Sequence, residues 1–292
     1  MDGQLEMAGM PRRLFACTPS RLTTWLDCPR RYRMTYLDRP APPKGSPWGH
    51  NTVGAAVHLA LARWWDLPRR QRTPSAARAL VDRGWSREGS PDGFRDEQMA
   101  QRWRGLAGDM VERYAGTLDP DDEPVGVERT VATRSGTLAV SGRVDRVDLR
   151  GEDLVVVDYK AGRHVLTTDD ARGSLALALY ALACSRTLRR SCLSVELHHL
   201  PTGRVVRWDH TEQSLARHLA RADAIGAEAV AAAEALLAGG DPERLFPARP
   251  GRLCAWCDFS RHCPQGREAA AAKQPWDGLA QEREPPSRGA TT

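Results

Sequence analysis

The spacing of apolar residues predicts that the first part of the chain is helical. Residues 18–37 predict a helix with Ser20 as its N-cap, and the Cys28-Pro29 step is expected to break or restart it. After a Pro/Gly-rich loop over residues 38–49, apolar side chains again recur every three or four positions. These repeats predict helices over residues 52–66, 74–87 and 95–116.

The pattern changes at Val125 to short runs of Val and Leu, which are typical of strands. Strands are predicted over residues 126–134, 137–149, 153–160, 194–200 and 204–208, with helices over 169–188 and 212–238. This order predicts one α/β domain over residues 18–266, with a central mixed sheet, flanking helices and a helical insertion at 66–120. Residues 1–17 are expected to be an extension and residues 267–292 a disordered tail.

The composition is that of an ordinary globular protein. Of the 292 residues, 41% are apolar and 27% are charged. The sequence has no apolar run of about 18 residues and no apolar segment typical of a secretory signal near its start, so we expect a cytoplasmic protein with no membrane partner. Its 42 Lys and Arg against 37 Asp and Glu give a net charge of +5. This small excess is compatible with solubility alone or with attraction to a polyanion.

The residues most suggestive of chemistry lie where two predicted strands meet. Asp158 and Lys160 leave the same face of their strand, because side chains alternate along a strand. The preceding strand changes parity near Asp145, which predicts a bulge there, and a hairpin is expected to bring Asp145 close to Asp158. Two neighbouring carboxylates can bind Mg²⁺ or Mn²⁺, and Lys160 can then orient a nucleophile or stabilise phosphate charge. A surface salt bridge between Asp158 and Lys160 is the alternative.

The segments GRVDRVD (142–148) and LVVVDYKAG (154–162) resemble motifs II and III of the PD-(D/E)XK nuclease superfamily, in its RecB-like branch. Val144-Asp145 stands where the superfamily name has Pro-Asp. The resemblance implies a restriction-endonuclease-like core with a metal-dependent active site. Its implied site residues are Asp145 and Asp158 as catalytic residues and metal ligands, the carbonyl of Tyr159 as a further ligand, and Lys160 as a catalytic residue.

Three further segments add to this resemblance. GAAVHLALARWW resembles the upstream helical motif whose histidine binds metal, which implies a ligand role for His58; a merely packed or exposed histidine is the alternative. SLALALYALA resembles the family's Gln-x-x-x-Tyr helix, with Tyr180 at the Tyr position and Ala176 at the Gln position. An apolar helix packed on the sheet also explains that segment. Tyr180 and Arg163 are the expected DNA contacts, and Glu128 lies where related proteins often carry a glutamate.

The seven cysteines indicate a metal site rather than disulfides, because their number is odd and no export signal precedes them. Cys254, Cys257 and Cys263 form a C-x₂-C-x₅-C group that needs a fourth ligand, either Cys28 or the nearby His262. Residues 18–37 and this group are similar to AddB-type and CRISPR-adaptation nucleases. In those families one N-terminal and three C-terminal cysteines hold a 4Fe–4S cluster. The resemblance therefore implies a structural 4Fe–4S cluster on Cys28 and the three later cysteines, with zinc as the alternative.

The function expected from these patterns is that of a deoxyribonuclease that requires Mg²⁺ or Mn²⁺. Its partner is expected to be DNA that is single-stranded or has single-stranded ends. The expected activity is that of an exonuclease that acts in repair or recombination. Whether a helicase feeds the substrate is left open. Trp25, Trp48, Trp64 and Trp65 are candidates for base stacking. A non-catalytic DNA-binding or scaffold protein that retains the fold is the alternative.

Overall fold

The structure, a computed structural model, describes residues 14–87 and 93–279. Within these ranges six strands form one sheet that contains both parallel and antiparallel pairs. The strands are β1 (Phe15–Cys17), β2 (Gly126–Arg134), β3 (Leu138–Arg150), β4 (Asp153–Lys160), β5 (Ser194–His199) and β6 (Arg204–Asp209). The expected α/β class with a central mixed sheet flanked by helices is confirmed.

Helices lie on both faces of this sheet. Those in the described ranges are α1 (Pro19–Asp27), α2 (Pro29–Tyr36), α3 (Gly49–Trp65), α4 (Pro74–Arg87), α5 (Glu97–Ala115), α6 (Thr168–Gly173), α7 (Leu175–Leu188), α8 (Glu212–Leu237), α9 (Pro242–Leu245) and α10 (Pro264–Ala269). Short 3₁₀ turns occur at Arg69–Gln71, Arg252–Trp256, Ser260–His262 and Asp277–Leu279. No helix in the described ranges is long and apolar enough to span a membrane.

Strand β4 is buried on both faces, as its continuous apolar run predicts. Val155 and Val157 pack into the cluster formed with α3, α4 and α5 on one face of the sheet. Leu154 and Val156 pack into the cluster formed with α7 on the other face. A third cluster joins α1 and α8 to the start of β3. The end of β4 is therefore held from both sides.

The long strand β3 has three partners, and their arrangement leaves an opening in the sheet. β2 pairs along one edge of β3, whereas β1 and β4 pair with its other edge at residues 138–140 and 146–150. Between these two stretches, residues 141–145 have no strand partner on that edge within the described chain. This fork exposes the middle of β3, which a continuous sheet would cover.

The segment 18–37 forms two helices, α1 and α2, separated at the expected Cys28-Pro29 step. The N-cap predicted at Ser20 is wrong. The hydroxyl of Thr18 accepts a hydrogen bond from the backbone N–H of Arg21 at 3.1 Å, so the helix begins earlier.

The single helix predicted over 169–188 is also wrong, because it is divided at Ser174. The Ser174 hydroxyl accepts from the backbone N–H of Leu177 at 3.2 Å and caps α7. Residues 15–17, expected to belong to an extension, instead form β1 at the sheet edge. Three residues are too few for a period-two pattern to be recognised.

The tail expected to be disordered from residue 267 is ordered as far as residue 279. Helix α10 runs to Ala269, and Leu279 is buried against α3 in the helical core. Residues 280–292 lie outside the described ranges, as do residues 1–13 of the expected extension. The remaining predicted helices and strands are present, with their ends shifted by a few residues at most. These include α4 and α5 in the expected insertion, which pack on α3.

A chain of buried polar side chains lies on the sheet face covered by α3, α4 and α5. Glu196 of β5, 3% exposed, forms an ion pair with Arg150 and lies 2.9 Å from Nε2 of His198. Nδ1 of His198 lies 2.7 Å from the hydroxyl of Tyr114, which also accepts from the buried guanidinium of Arg146 at 3.3 Å. Each charge is partnered, as burial requires, because an unpaired buried charge is costly.

We expect stability to depend on the charge of Glu196 at acidic pH. Burial disfavours its carboxylate, but His198 and Arg150 outweigh this effect and lower the pKa of Glu196 from 4.5 to about 2. The ionised Glu196 therefore stabilises the folded state above pH 4.5, by about 3 kcal/mol at most, and this stabilisation is lost as the pH falls towards 2. The Glu196→Gln variant should be less stable than wild type in urea unfolding at pH 7, with a smaller difference at pH 3.5. A difference that is unchanged between these pH values would contradict this assignment.

Candidate metal centre

Three carboxylates lie in one row across three neighbouring strands. Glu128 belongs to β2, Asp145 to β3 and Asp158 to β4. The pairs on either side of the row keep a single register between β2 and β3, which places Glu128 opposite Asp145. The register between β3 and β4, continued by one position, places Asp158 opposite Asp145 on the other side. The expectation that the hairpin brings Asp145 near Asp158 is therefore met by the register.

The bulge predicted at Asp145 is absent, because the register between β2 and β3 is the same on both sides of the row. The side chains nevertheless depart from strict alternation, because Val144 and Val147, three residues apart, both pack into the cluster beneath α7. The distortion is shared with the partner strand, where Glu128 has a φ of 46° in the left-handed region. A non-glycine residue adopts this conformation at a cost of about 1–2 kcal/mol. Such strain often occurs at functional sites.

Helix α3 brings His58 to the row. Nδ1 of His58 lies 3.3 Å from Oδ1 of Asp145, and Nε2 lies 3.1 Å from the carbonyl oxygen of Tyr159. The backbone N–H of Tyr159 donates to Oδ2 of Asp145 at 2.8 Å. The imidazole, the carboxylate and the β4 peptide thus hold one another in a closed arrangement. This geometry requires α3 to pack on β4, which its apolar face ensures.

A metal ion fits the donor atoms of this arrangement. One ligand atom from each of His58, Glu128 and Asp145 lies within 4.8 Å of the other two. Oxygen and imidazole donors suit Mg²⁺ or Mn²⁺. Asp158, which the sequence interpretation made a ligand, lies outside this closest group among the described residues and contacts Lys160, with Oδ2 2.6 Å from Nζ. The ion pair considered as an alternative is therefore present, next to the metal centre.

The electrostatics of the row favour a positive group at its centre. Burial disfavours the charged imidazole of His58, but the neighbouring carboxylates, Asp145 first, outweigh it and raise the pKa of His58. Burial raises the pKa of Asp158; Lys160 opposes this shift, and the charge of Asp145 adds to it. Burial and Asp145 together raise the pKa of Glu128. The carboxylates repel one another, so a cation is bound favourably here.

An open groove of about 920 Å³ leads to the candidate metal centre. It passes the fork in the sheet and is lined by His58, Glu128 and Asp145 together with Arg63, Arg143 and Tyr180. Arg143 is exposed and its Nε lies 3.0 Å from Oε2 of Glu128. The two arginines provide positive charge for an anionic ligand at the wall of the groove.

The two residues expected to contact DNA lie at different places. Tyr180 lines the groove and packs over Gly142, where a Cβ atom would lie 2.6 Å from the tyrosine ring. A glycine at residue 142 is therefore needed to seat Tyr180. Arg163 lies in the exposed segment that follows β4, three residues after Lys160.

The tryptophans expected to stack on bases belong mainly to the core. Trp25, Trp64 and Trp65 are buried. Trp48 is partly exposed, and its Nε1 donates to Oδ1 of Asp258 at 2.8 Å. Periodicity alone does not distinguish an aromatic side chain under a helix from one beside a groove.

The comparison with protein families agrees with this geometry. A family model of the PD-(D/E)XK nuclease superfamily matches residues 16–264. The chain belongs to the PD-(D/E)XK nuclease superfamily. Members of this superfamily are generally nucleases that hydrolyse phosphodiester bonds with divalent metal ions, and DNA is their usual substrate. A comparison with curated proteins finds no match.

The four cysteines expected to bind a cluster line one cavity in this superfamily member. Cys28 precedes α2, and Cys254, Cys257 and Cys263 come from the turns before α10. Arg30, 6% exposed, connects the two parts: its guanidinium lies 3.7 Å from Sγ of Cys263 and pairs with Glu243. The cysteine donors therefore converge although they are far apart in the sequence.

Other residues considered as ligands or thiols lie elsewhere. Nε2 of His262, the local alternative to Cys28, is 3.0 Å from the carbonyl oxygen of Pro43. The other three cysteines, Cys17, Cys184 and Cys192, are buried in the apolar clusters.

Two residues of the centre were not singled out from sequence. Arg143 and Gly142 lie within the motif that carries Asp145, but their roles depend on contacts with β2 and α7. The only local signal was the position of Gly142 inside a strand, which often marks the close approach of another group.

We expect the Asp145→Asn variant to bind Mn²⁺ at least about tenfold more weakly than wild type, because it removes the central charge of the row. Isothermal titration would measure the affinity. Asp66→Asn is the matched control, since Asp66 lines the same groove outside the ligand group. Equal Mn²⁺ affinity of wild type and Asp145→Asn would show that the row is not the metal centre.

Proposed function

We propose that this protein is a metal-dependent deoxyribonuclease whose active centre is the carboxylate row at the fork of the sheet. The observation that carries the proposal is the convergence of His58, Glu128 and Asp145 on one point beside the ion pair of Asp158 and Lys160. These groups come from α3 and three strands, and His58, Glu128 and Asp145 line the wall of an open groove. Superfamily membership supplies the reaction class, and the groove supplies access for a strand.

The metal ligands proposed are His58, Asp145, Asp158 and the carbonyl of Tyr159, and the geometry supports adding Glu128. A divalent ion, when bound, supplies Lewis-acid chemistry for phosphodiester hydrolysis. The backbone N–H of Tyr159 donates a hydrogen bond to the carboxylate of Asp145 and so holds it in place. Fixed ligands of this kind avoid reorganisation during the reaction.

Lys160 is the proposed catalytic cation. The side chain of Lys160 is 46% exposed, whereas that of Asp158 beside it is 20% exposed. Asp158 therefore anchors the ammonium group of Lys160, and the lysine side chain stays accessible to a bound strand. We assign it to orienting the attacking water and stabilising charge that develops on the phosphate. Arg143 and Tyr180 are proposed to hold the neighbouring nucleotide, together with Arg163.

Preference for single-stranded DNA or DNA ends, exonuclease action and a role in repair or recombination are part of the proposal. Their support is the resemblance of the motifs to RecB-like nucleases. A helicase is a possible partner on the same grounds.

We also propose a structural 4Fe–4S cluster on Cys28, Cys254, Cys257 and Cys263. The four thiols line one cavity. Their sulfur atoms belong to the described residues, and no set of three among them lies within 4.8 Å of one another. A zinc ion with bonds of about 2.3 Å would need sulfur atoms only about 4 Å apart. The wider spacing supports a larger group. Such a cluster would connect α2 to the end of the domain and close a very long loop.

The nuclease proposal predicts that Lys160→Ala and Asp158→Ala each lose at least about 100-fold in cleavage of end-labelled single-stranded DNA with Mg²⁺ or Mn²⁺. The exposed Lys44 allows the matched control Lys44→Ala, which should cleave as wild type does. Binding of the strand should change little in the first two variants. Equal cleavage by wild type and Lys160→Ala would refute the assignment of the active centre.

The cluster proposal predicts about four iron and four sulfide per chain after anaerobic purification. Cys28→Ser should lose most of the iron and lower the thermal midpoint, because the link between the two ends of the domain is broken. Cys17→Ala changes a buried cysteine outside the cavity and should keep the iron. One zinc per chain in place of iron would contradict the cluster.

A further inference from the structure

A second cavity lies between the start of α5 and the segment 276–279. Its volume is about 530 Å³. One wall consists of Arg95, which precedes helix α5, and of four residues at helical spacing in α5, which are Gln98, Met99, Arg102 and Trp103. Met99 and Trp103 also pack on the helical core, so the floor of this wall is apolar and fixed. Arg95, Gln98 and Arg102 are exposed at its rim.

The opposite wall consists of Trp276, Asp277 and Leu279. Leu279 is buried in the helical core, and the Asp277 carboxylate accepts from the backbone N–H of Gln274 at 3.0 Å. The backbone N–H of Gly49, at the start of α3, donates to the carbonyl of Pro275 at 3.0 Å. These contacts fix the backbone of the segment that carries the partly exposed Trp276.

The cavity adjoins the groove of the metal centre. His50 lines that groove. Gly278 packs directly against its imidazole, and a Cβ atom at Gly278 would lie 2.5 Å from Nδ1 of His50. The segment 276–279, which carries Trp276 and Asp277, therefore contacts the groove wall at His50, and this contact links the cavity to the groove.

The chemistry of the two walls fits an unpaired nucleic acid strand. Tryptophan rings stack on bases of any sequence, and arginine side chains bind phosphates. We propose that this cavity, which we call the α5 groove, binds bases of a single-stranded DNA segment that continues from the scissile phosphate. The proposal rests on the proposed nuclease function and adds a separate binding site for its substrate. Trp103 and Trp276 would contact bases, and Arg95 and Arg102 would contact phosphates.

A single strand fits this groove better than a duplex does. The bases of a duplex are stacked on their neighbours, so their faces are not available to tryptophan rings. The net charge of the lining is modest, because Asp277 also lies in it and Nε of Arg95 is 2.8 Å from Oδ2 of Asp96. Stacking should therefore contribute more to binding than salt-dependent phosphate contacts do.

The test is fluorescence anisotropy with end-labelled oligothymidylates in buffer freed of divalent ions. For Trp276→Leu we expect about tenfold weaker binding of a strand of about 20 nucleotides, with little change for one of about 4 nucleotides. Arg102→Gln should reduce the slope of log affinity against log salt by about one unit or less. Trp208→Leu and Arg207→Gln on β6 are the matched controls and should bind both strands as wild type does.

Unchanged binding of the longer strand by Trp276→Leu would overturn the proposal, and so would an equal loss in Trp208→Leu. An equal loss for a blunt duplex of the same length would overturn the assignment to an unpaired strand. Catalysis is not needed for this measurement, so a wild-type protein that binds strands without cutting them would contradict only the nuclease function. Intact cleavage with unchanged binding in Trp276→Leu would contradict only the α5 groove.

Discussion

The mutual repulsion of three carboxylates, one on each of β2, β3 and β4, is the constraint on which the rest of the centre depends. Strand pairing forces them into one row, and like charges at this spacing raise the free energy of the fold unless positive groups compensate. His58, Lys160 and Arg143 each contact one carboxylate of the row. A divalent ion would provide the same compensation more strongly, so the pairing of the sheet creates a candidate metal site.

The peptide of Tyr159 transmits this constraint to the rest of the domain. Its N–H donates to Asp145 and its carbonyl faces His58. The hydroxyl of the Tyr159 side chain lies in the buried polar network and accepts a hydrogen bond from Arg146 at 3.2 Å. The backbone position that shapes the metal centre is therefore fixed by a side chain buried beneath α3. The fork in the sheet then leaves this fixed centre open to the groove. The buried Tyr159 side chain thus makes the site rigid, whereas the fork in the sheet makes it accessible.

Local patterns predicted most element boundaries because period and capping are properties of neighbouring residues. The strand 153–160 and the break at Cys28 are examples, since an apolar run and a proline are visible without knowledge of the fold. The strand β1 and the order up to residue 279 were missed. Both depend on partners far away in the chain, namely β3 for the strand and α3 for Leu279.

The sequence by itself determined the class of the fold, the superfamily motifs and the identity of the charged residues that end β4, because these are carried by composition and short spacing. The tertiary structure decided which of them meet. It placed Glu128 in the candidate ligand group and Asp158 against Lys160, buried three of the proposed stacking tryptophans and brought Trp276 to the wall of the second cavity. The physical reason is that convergence depends on strand register and helix packing, and these are set by contacts between residues that are distant in the sequence.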